Sequence, residues 1–217
     1  MIVAVRHGPV VAARLCYGRW DPPLVHPVGH DAAIILERLQ AAATGSAVRG
    51  TPPAPLPRPR RIVSSPAGRC HAVAAQLALR LGLPLCVDDR LVELSMGEWE
   101  GRSWAEIEAS DGTRLATWMH DWESVAPPGG ETLADLEARV RSATEETTQP
   151  TLWLTHAGVI RALRVLLTGW AWTAAMRTPV EHLRPEPFGT ISPEIQQGPR
   201  PAVTATAPRH GTGASNP

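Results

Sequence analysis

Ile2-Val3-Ala4-Val5-Arg6-His7-Gly8 begins the chain with an apolar run that ends in a basic turn. A short, fully apolar run of this kind predicts a buried strand of a parallel sheet. Gly8 allows the backbone to turn sharply or to approach a ligand closely. Ligands of open α/β sheets bind at the carboxyl ends of the strands, so Arg6 and His7 are candidates for anion chemistry. The alternative is a strand-end arginine that forms an ion pair beside an incidental histidine.

Two later stretches repeat this pattern of a buried strand followed by a turn. Arg61-Ile62-Val63-Ser64-Ser65 precedes a turn and helix that carry Arg69, and Thr151-Leu152-Trp153-Leu154-Thr155 ends at His156. Right-handed crossovers bring all such junctions of a parallel sheet to one edge. The sequence therefore predicts an α/β fold, a three-layer α/β/α sandwich with a mostly parallel central sheet. One crevice at the edge of that sheet would hold the side chains of Arg6, His7, Arg69 and His156.

Apolar residues at helical spacing predict the helices that connect these strands. The predicted helices span residues 29–43, 66–81 with Ser65 as a cap, 104–109, 115–122, 132–146 and 159–168, and residues 85–87 form a short strand. The pattern indicates one domain over residues 1–177, with a proline-rich insertion at about 50–60. Residues 178–217 are expected to form an edge strand at 188–195 and then a flexible tail rich in proline and glycine.

The overall charge is balanced, because 21 acidic residues accompany 21 basic residues in a chain of 217. No field of the whole protein attracts nucleic acid or an anionic membrane, so neither partner is expected. Arginines interrupt the apolar stretches near the start and at 159–176, so neither a secretory signal nor a membrane-spanning helix is predicted. Cys16, Cys70 and Cys86 form no C-x-x-C pair, which fits a reduced compartment and a cytoplasmic protein.

Every basic residue is an arginine, and the absence of lysine excludes several kinds of enzyme. A P-loop needs a lysine on the phosphates, and a Schiff-base enzyme needs an amine nucleophile. Arginine instead binds phosphate or carboxylate bidentately. Two histidines and a glutamate could form a metal site, but two permanent cations beside a divalent metal are unfavourable. A clamp for a tetrahedral dianion, without metal or cofactor, fits these residues better.

Four separated motifs of the sequence resemble those of one family. They are Arg6-His7-Gly8, Ser64-Ser65-Pro66 with Arg69, Glu93 ahead of Gly97-Glu98-Trp99-Glu100-Gly101, and His156-Ala157-Gly158-Val159-Ile160-Arg161. In this order they resemble the motifs of the histidine phosphatase superfamily, in its branch 1 or phosphoglycerate-mutase-like group. The resemblance covers roughly residues 1–170.

The resemblance implies a phosphomonoesterase that acts on a small phosphate ester through a phosphohistidine intermediate. His7 would be the nucleophile, and water would then hydrolyse the phosphohistidine. Charge on the phosphoryl oxygens would be stabilised by Arg6, Arg69 and His156.

Glu93 would protonate the leaving alkoxide and later deprotonate the attacking water. Glu98 and Glu100 are the other candidates for this acid–base role. The remaining residues expected to contact the substrate are Gly8, Arg19, Ala157 and Gly158.

A finer resemblance is to the α-ribazole phosphatases of cobalamin biosynthesis. It rests on the loop Cys16-Tyr17-Gly18-Arg19 with Asp21 and Leu24, and on Pro128-Gly129-Gly130-Glu131-Thr132. This resemblance implies α-ribazole 5′-phosphate as the substrate. Trp118 and Trp122, four residues apart on one helix face, could stack on a flat group or simply pack in the core.

Some positions depart from the family pattern and leave two alternatives open. Pro9 and Val10 stand where many relatives have Glu-Thr, Ala13 where many have asparagine, and Val73 where threonine is common. One alternative is a mutase that moves a phosphoryl group between two positions of one substrate. The other is a catalytically impaired phosphate-binding module.

Overall fold

The computed structural model describes residues 1–12, 14–43 and 56–189, so Ala13 and the predicted tail lie outside the described residues. The described elements are β1 (Ile2–Arg6), α1 (Val28–Ala43), β2 (Arg61–Ser64), α2 (Gly68–Leu81), β3 (Leu85–Val87), α3 (Trp104–His120), α4 (Leu133–Glu145), β4 (Thr151–Thr155), α5 (Ala157–Thr168), α6 (Trp172–Arg177) and β5 (Pro185–Phe188). Two short 3₁₀ turns, Asp89–Leu91 and Gly97–Trp99, lie between β3 and α3.

The five strands form one mixed sheet in the order β3-β2-β4-β1-β5. β1 and β2 both pair parallel with β4, and β3 pairs parallel with β2. β5 pairs antiparallel with β1 and places Phe188 opposite Ile2. The mostly parallel sheet flanked by helices confirms the predicted fold class.

The edge strand lies earlier in the chain than predicted. It covers Pro185–Phe188 instead of beginning at residue 188, and residues 190–195 of the predicted strand lie outside the described residues. Pro185 and Pro187 obscured the strand in the sequence, because proline cannot donate to a ladder of hydrogen bonds. An edge strand tolerates proline, because one side of it needs no partner. The division of the chain at residue 177 stays a prediction.

Helices cover both faces of the sheet, and alternate residues of β1 pack against the two helical layers. Ile2 and Ala4 pack into a cluster with buried residues of α4, α5 and α6. Val3 and Val5 pack into a second cluster with α1 and α2. Alternate residues of a strand point to opposite faces, so an uninterrupted apolar run is what a strand between two helical layers requires.

Four helices differ from their predicted form, and the first of them is α5, which begins at Ala157 instead of Val159. α2 begins at Gly68 instead of Pro66, and its cap residue is Ala67, so Ser65 is free for another role. The two segments predicted at 104–122 join into α3, with non-helical backbone angles at Asp111. The short α6 over Trp172–Arg177 was not predicted. Among the described residues, no helix is both long enough and apolar enough to cross a bilayer.

The register of the sheet places three strand ends side by side. Arg6 of β1 lies opposite Thr155 of β4, and Ser64 of β2 lies opposite Leu154. The backbone N–H of His7 donates to the carbonyl oxygen of Thr155 at 3.0 Å. The residues that follow β1, β2 and β4 therefore meet at one edge.

Candidate active site

His7 follows β1 at this edge and is almost fully buried, with 1% of its surface exposed. Its Nδ1 lies 2.7 Å from the backbone oxygen of Gly8. A carbonyl oxygen can only accept, so Nδ1 carries the proton and Nε2 presents its lone pair. Burial lowers the pKa of His7 well below its ordinary value, and the charges of Arg69 and Arg6 lower it further. The imidazole is therefore neutral and has one free nitrogen.

His156 follows β4 and lies against His7, with the ring centroids 5.2 Å apart. Its Nδ1 accepts from Nη2 of Arg69 at 3.2 Å, so Nε2 carries the proton and donates to Oγ of Ser65 at 2.8 Å. Burial lowers the pKa of His156 well below its ordinary value, and the neighbouring His7 and Arg69 act in the same direction. His156 is neutral, and both of its ring nitrogens have partners within the protein.

Arg69 lies in the first turn of α2, with its side chain fully buried. Its Nη1 forms an ion pair of 2.9 Å with Oδ1 of Asp21 and also donates to the carbonyl of Trp20. Its Nη2 donates to the carbonyl of Gly18 at 2.8 Å as well as to His156. Asp21 also accepts from the backbone N–H of Gly68 at 2.6 Å, at the amino end of α2. The loop before α1 thus holds Arg69 beside the histidines.

Arg6 completes the cluster from the end of β1. Its Nη1 donates to the carbonyl oxygen of Val180 at 2.9 Å. The Nε atoms of Arg6 and Arg69 are both buried and have no hydrogen-bond partner among the described residues. Leaving such donors unpaired is costly, so an anion that accepted from them would be bound favourably.

Glu93 differs from the other two candidate acids in its surroundings. Its Oε1 accepts from the backbone N–H of Leu94 and from that of Gly158, each at 2.9 Å. Glu98 is mostly exposed and pairs with Arg114 at 3.0 Å. Glu100 accepts from the backbone N–H of Arg19, Trp20 and Met96, which makes it a brace for the loops. Only Glu93 of the three lines the cavity at this edge.

A cavity of about 180 Å³ has Glu93 in its wall, and neither His7 nor His156 is among its lining residues. Its walls are mostly apolar and include Trp118, Trp122 and Trp172. Trp118 also makes an edge-to-face contact with the buried Trp99, with centroids 5.6 Å apart. Trp118 and Trp122 each pack on a core cluster and also form part of the wall, which confirms packing, whereas stacking on a flat group stays a prediction.

The four residues expected to contact substrate occupy different surroundings. Gly8 has no room for a side chain, since a Cβ there would lie 1.9 Å from Oδ2 of Asp31. Arg19 is half exposed, and its Nη2 lies 3.6 Å from Oε2 of Glu131, which lines the cavity. Ala157 is buried in the first turn of α5, and Gly158 contacts Glu93.

His182 was not identified from the sequence. Its Nδ1 donates to the backbone oxygen of His7 at 2.6 Å, and the two rings lie 5.5 Å apart. His182 comes just before β5, where no motif marks it, and a backbone bridge to Arg6 next to the pairing of β5 with β1 brings it to the site. Asp21 was noted only as part of a loop motif, although its ion pair with Arg69 is central.

The described residues contain no group of three or more His, Cys, Asp or Glu side chains arranged to hold a metal ion. The rings of His26 and His30 lie near each other, with centroids 4.9 Å apart, but they belong to no such group. The cations beside His7 and His156 are the guanidinium groups of Arg6 and Arg69, and they suit an anion better than a metal cation.

Two solved structures of similar fold carry the names of phosphatases. A mycobacterial glucosyl-3-phosphoglycerate phosphatase in complex with inorganic phosphate gives a TM-score of 0.63 at 28% identity, covering 80% of this chain and 82% of that chain. The α-ribazole phosphatase from Shigella flexneri gives a TM-score of 0.69 at 21% identity, covering 84% of this chain and 86% of that chain. Because the identity to the Shigella flexneri enzyme is only 21%, that likeness concerns the fold alone.

Among curated proteins, the glucosyl-3-phosphoglycerate phosphatase of Mycobacterium tuberculosis is 36% identical over 124 residues, which cover 51% of this chain and 55% of that protein. The chain thus spans about half the length of the curated relatives it matches. Residues 2–184 match the model of the histidine phosphatase superfamily, branch 1, a range that contains every site residue described above. The chain therefore belongs to branch 1 of the histidine phosphatase superfamily.

Proposed function

We propose that this protein is a metal-independent phosphomonoesterase that transfers the phosphoryl group of a small ester first to His7 and then to water. The observation that carries the proposal is the neutral His7, whose free Nε2 lies among Arg6, Arg69 and His156. A neutral imidazole attacks phosphorus without first losing a proton, and dividing the displacement into two steps lowers each barrier.

The roles of the other residues follow from the same geometry. The unpaired Nε donors of Arg6 and Arg69 stabilise the charge on the phosphoryl oxygens. His156 would contact the same oxygens by exchanging its hydrogen bond to Ser65 for one to phosphate. Glu93 gives a proton to the leaving alkoxide and then takes one from the attacking water.

Two substrates have specific support. α-Ribazole 5′-phosphate is supported by the loop motifs around Arg19 and Glu131 and by the aromatic wall of the cavity. Glucosyl-3-phosphoglycerate is supported by the 36% identity to the enzyme named for it. The measured turnover of these two esters, compared with p-nitrophenyl phosphate, distinguishes them.

The test of the reaction itself is a trapping experiment. Brief incubation with a ³²P-labelled ester should give an acid-labile, base-stable phosphoprotein, and His7→Ala should abolish both label and turnover. EDTA should leave turnover unchanged, and EDTA-sensitive turnover would contradict the mechanism. If phosphoglycerate is isomerised faster than it is hydrolysed, the protein is a mutase. Tight phosphate binding without turnover of any ester would identify a binding module.

A further inference from the structure

Arg161 lines the cavity next to Glu93 and has an unusual lack of partners. Its Nε is buried without a hydrogen bond, and its guanidinium joins none of the described residues in a hydrogen bond or ion pair. Arg161 is partly buried, and taking a cation partly out of water is costly unless an anion accompanies it. The guanidinium of Arg161 is therefore a candidate binding group for an anionic ligand.

The other charged groups of the cavity are already satisfied. Glu131 pairs with Arg139 at 2.7 Å and with Arg19 at 3.6 Å. Glu93 accepts backbone hydrogen bonds, and the charge of its carboxylate acts to raise the pKa of Arg161. Even so, burial is the largest influence and lowers the pKa of Arg161, with Arg6 and Arg164 acting in the same direction. A bound anion would stabilise the charged guanidinium of Arg161 and so offset the cost of its burial.

Arg161 lies in the part of the site where the alcohol half of the ester would bind. Gly158 and Arg161 lie three residues apart on α5, so they share one face of that helix. Gly158 donates to Glu93, and Glu93 is the group that protonates the leaving oxygen. The alcohol half must therefore lie beside Glu93, inside the cavity that Arg161 lines.

The charge of the cavity favours one kind of anion. A single free guanidinium matches one carboxylate, which it can bind bidentately. A second phosphate, with two negative charges, would meet the carboxylates of Glu93 and Glu131 and would find mostly apolar walls. A carboxylate is the anion that these residues accommodate.

We propose that Arg161 binds a carboxylate on the alcohol half of the substrate, so that the preferred substrates are phosphate esters of hydroxy acids. This inference rests on the proposed phosphatase function and narrows its substrate class. It favours a phosphoglycerate-type ester over α-ribazole 5′-phosphate, whose alcohol half carries no carboxylate.

The experiment compares three esters that share a carbon skeleton. They are 3-phosphoglycerate, its methyl ester, and glycerol 3-phosphate, in which a hydroxymethyl group replaces the carboxylate. The unmodified protein should hydrolyse 3-phosphoglycerate with a kcat/KM at least tenfold higher than either neutral analogue, the size expected for a hydrogen bond between charged groups. Equal values for the acid and its methyl ester would overturn the proposal without the need for any variant.

The variants show which residue is responsible. Arg161→Gln should reduce the preference for 3-phosphoglycerate over glycerol 3-phosphate by about tenfold or more, and Arg161→Lys should restore part of it. Arg177→Gln, at an exposed arginine of α6 outside the cavity, is the matched control and should keep the preference of the unmodified protein. An equal loss on both esters in Arg161→Gln would assign Arg161 to Glu93 or to phosphate instead. Absence of phosphoprotein and of p-nitrophenyl phosphate turnover would contradict the phosphatase function, a result separate from loss of the preference.

Discussion

The backbone nitrogen of Gly158 lies 2.9 Å from Oε1 of Glu93, and a Cβ atom on Gly158 would lie only 2.2 Å from that oxygen. The first turn of α5 thus fixes the position of the carboxylate that we assign as acid and base. Glycine allows this close approach, because a Cβ at residue 158 fits only if the Glu93 carboxylate moves.

Gly158→Ala should displace the Glu93 carboxylate without unfolding the protein, because a flexible side chain can give way. A displacement of about 1 Å from the reacting oxygen can lower a rate by roughly 100-fold. We expect a loss of that order in kcat for glycerol 3-phosphate, measured by phosphate release. Gly112→Ala in α3 is the control, since a Cβ there meets nothing within 4 Å. A fully active Gly158→Ala variant would argue against the position of Glu93 being critical.

Glu93→Gln should separate the two chemical steps when substrates with different leaving groups are compared. p-Nitrophenolate leaves without a proton, so phosphorylation of His7 should survive, whereas hydrolysis of the phosphohistidine needs Glu93 as a base. Rapid mixing should show a burst of one nitrophenolate per site followed by turnover slowed about 100-fold or more. Glycerol 3-phosphate should give no burst, because its alkoxide needs the proton.

Glu98→Gln provides the matched comparison, since Glu98 is exposed and paired with Arg114. That variant should retain normal turnover on both esters. If Glu98→Gln lost activity and Glu93→Gln kept it, the acid–base role would belong to Glu98.

The sequence predicts the centre of this site better than its periphery, and the reason is physical. His7 and His156 directly follow strands whose apolar runs fix their burial, and the register of a parallel sheet then brings the two strand ends together. The partners of Arg69 come instead from a loop before α1, and no periodic pattern predicts where a loop folds back. Asp21 could therefore be placed only by the structure.

The choice among the three candidate glutamates likewise depends on contacts that local sequence does not reveal. Glu93, Glu98 and Glu100 lie within eight residues of one another, and their difference lies in the groups that each carboxylate meets. The contact of Glu93 with α5 and that of Glu100 with the loop at Arg19 join residues 65 and 81 positions apart in the chain. His182 was missed because β5 contains two prolines and does not have the usual pattern of a strand.

The buried histidines should make stability depend on pH. His7 and His156 have lowered pKa values in the folded protein, whereas in the unfolded chain they protonate near pH 6.5. Between those values the unfolded state binds more protons, so the free energy of unfolding decreases as the pH falls below about 6.5. Each histidine contributes up to about 1.4 kcal/mol per pH unit.

Urea unfolding between pH 8 and pH 5 measures this dependence. His7→Asn should reduce the slope by up to one proton, and the difference between the two slopes cancels other groups, such as Asp31, whose pKa is raised by burial. His120→Asn is the control, because His120 is exposed at the end of α3. Identical slopes for the unmodified protein and His7→Asn would show that His7 has the same proton affinity folded and unfolded.

Asp21→Asn should change stability and phosphate binding in opposite directions. The amide keeps the shape of the side chain but removes the charge that accompanies the buried Arg69 guanidinium, at an ion pair of 2.9 Å. We expect a loss of about 1–2 kcal/mol in the free energy of unfolding, since the Asp21 side chain is 38% exposed and solvent screens part of the interaction.

Arg69 without its carboxylate should attract phosphate more strongly, so the inhibition constant of inorganic phosphate should fall by several-fold. Asp89→Asn, at an exposed aspartate in a 3₁₀ turn, should change neither value. Weaker phosphate binding in Asp21→Asn would instead mean that Asp21 chiefly holds Arg69 in position.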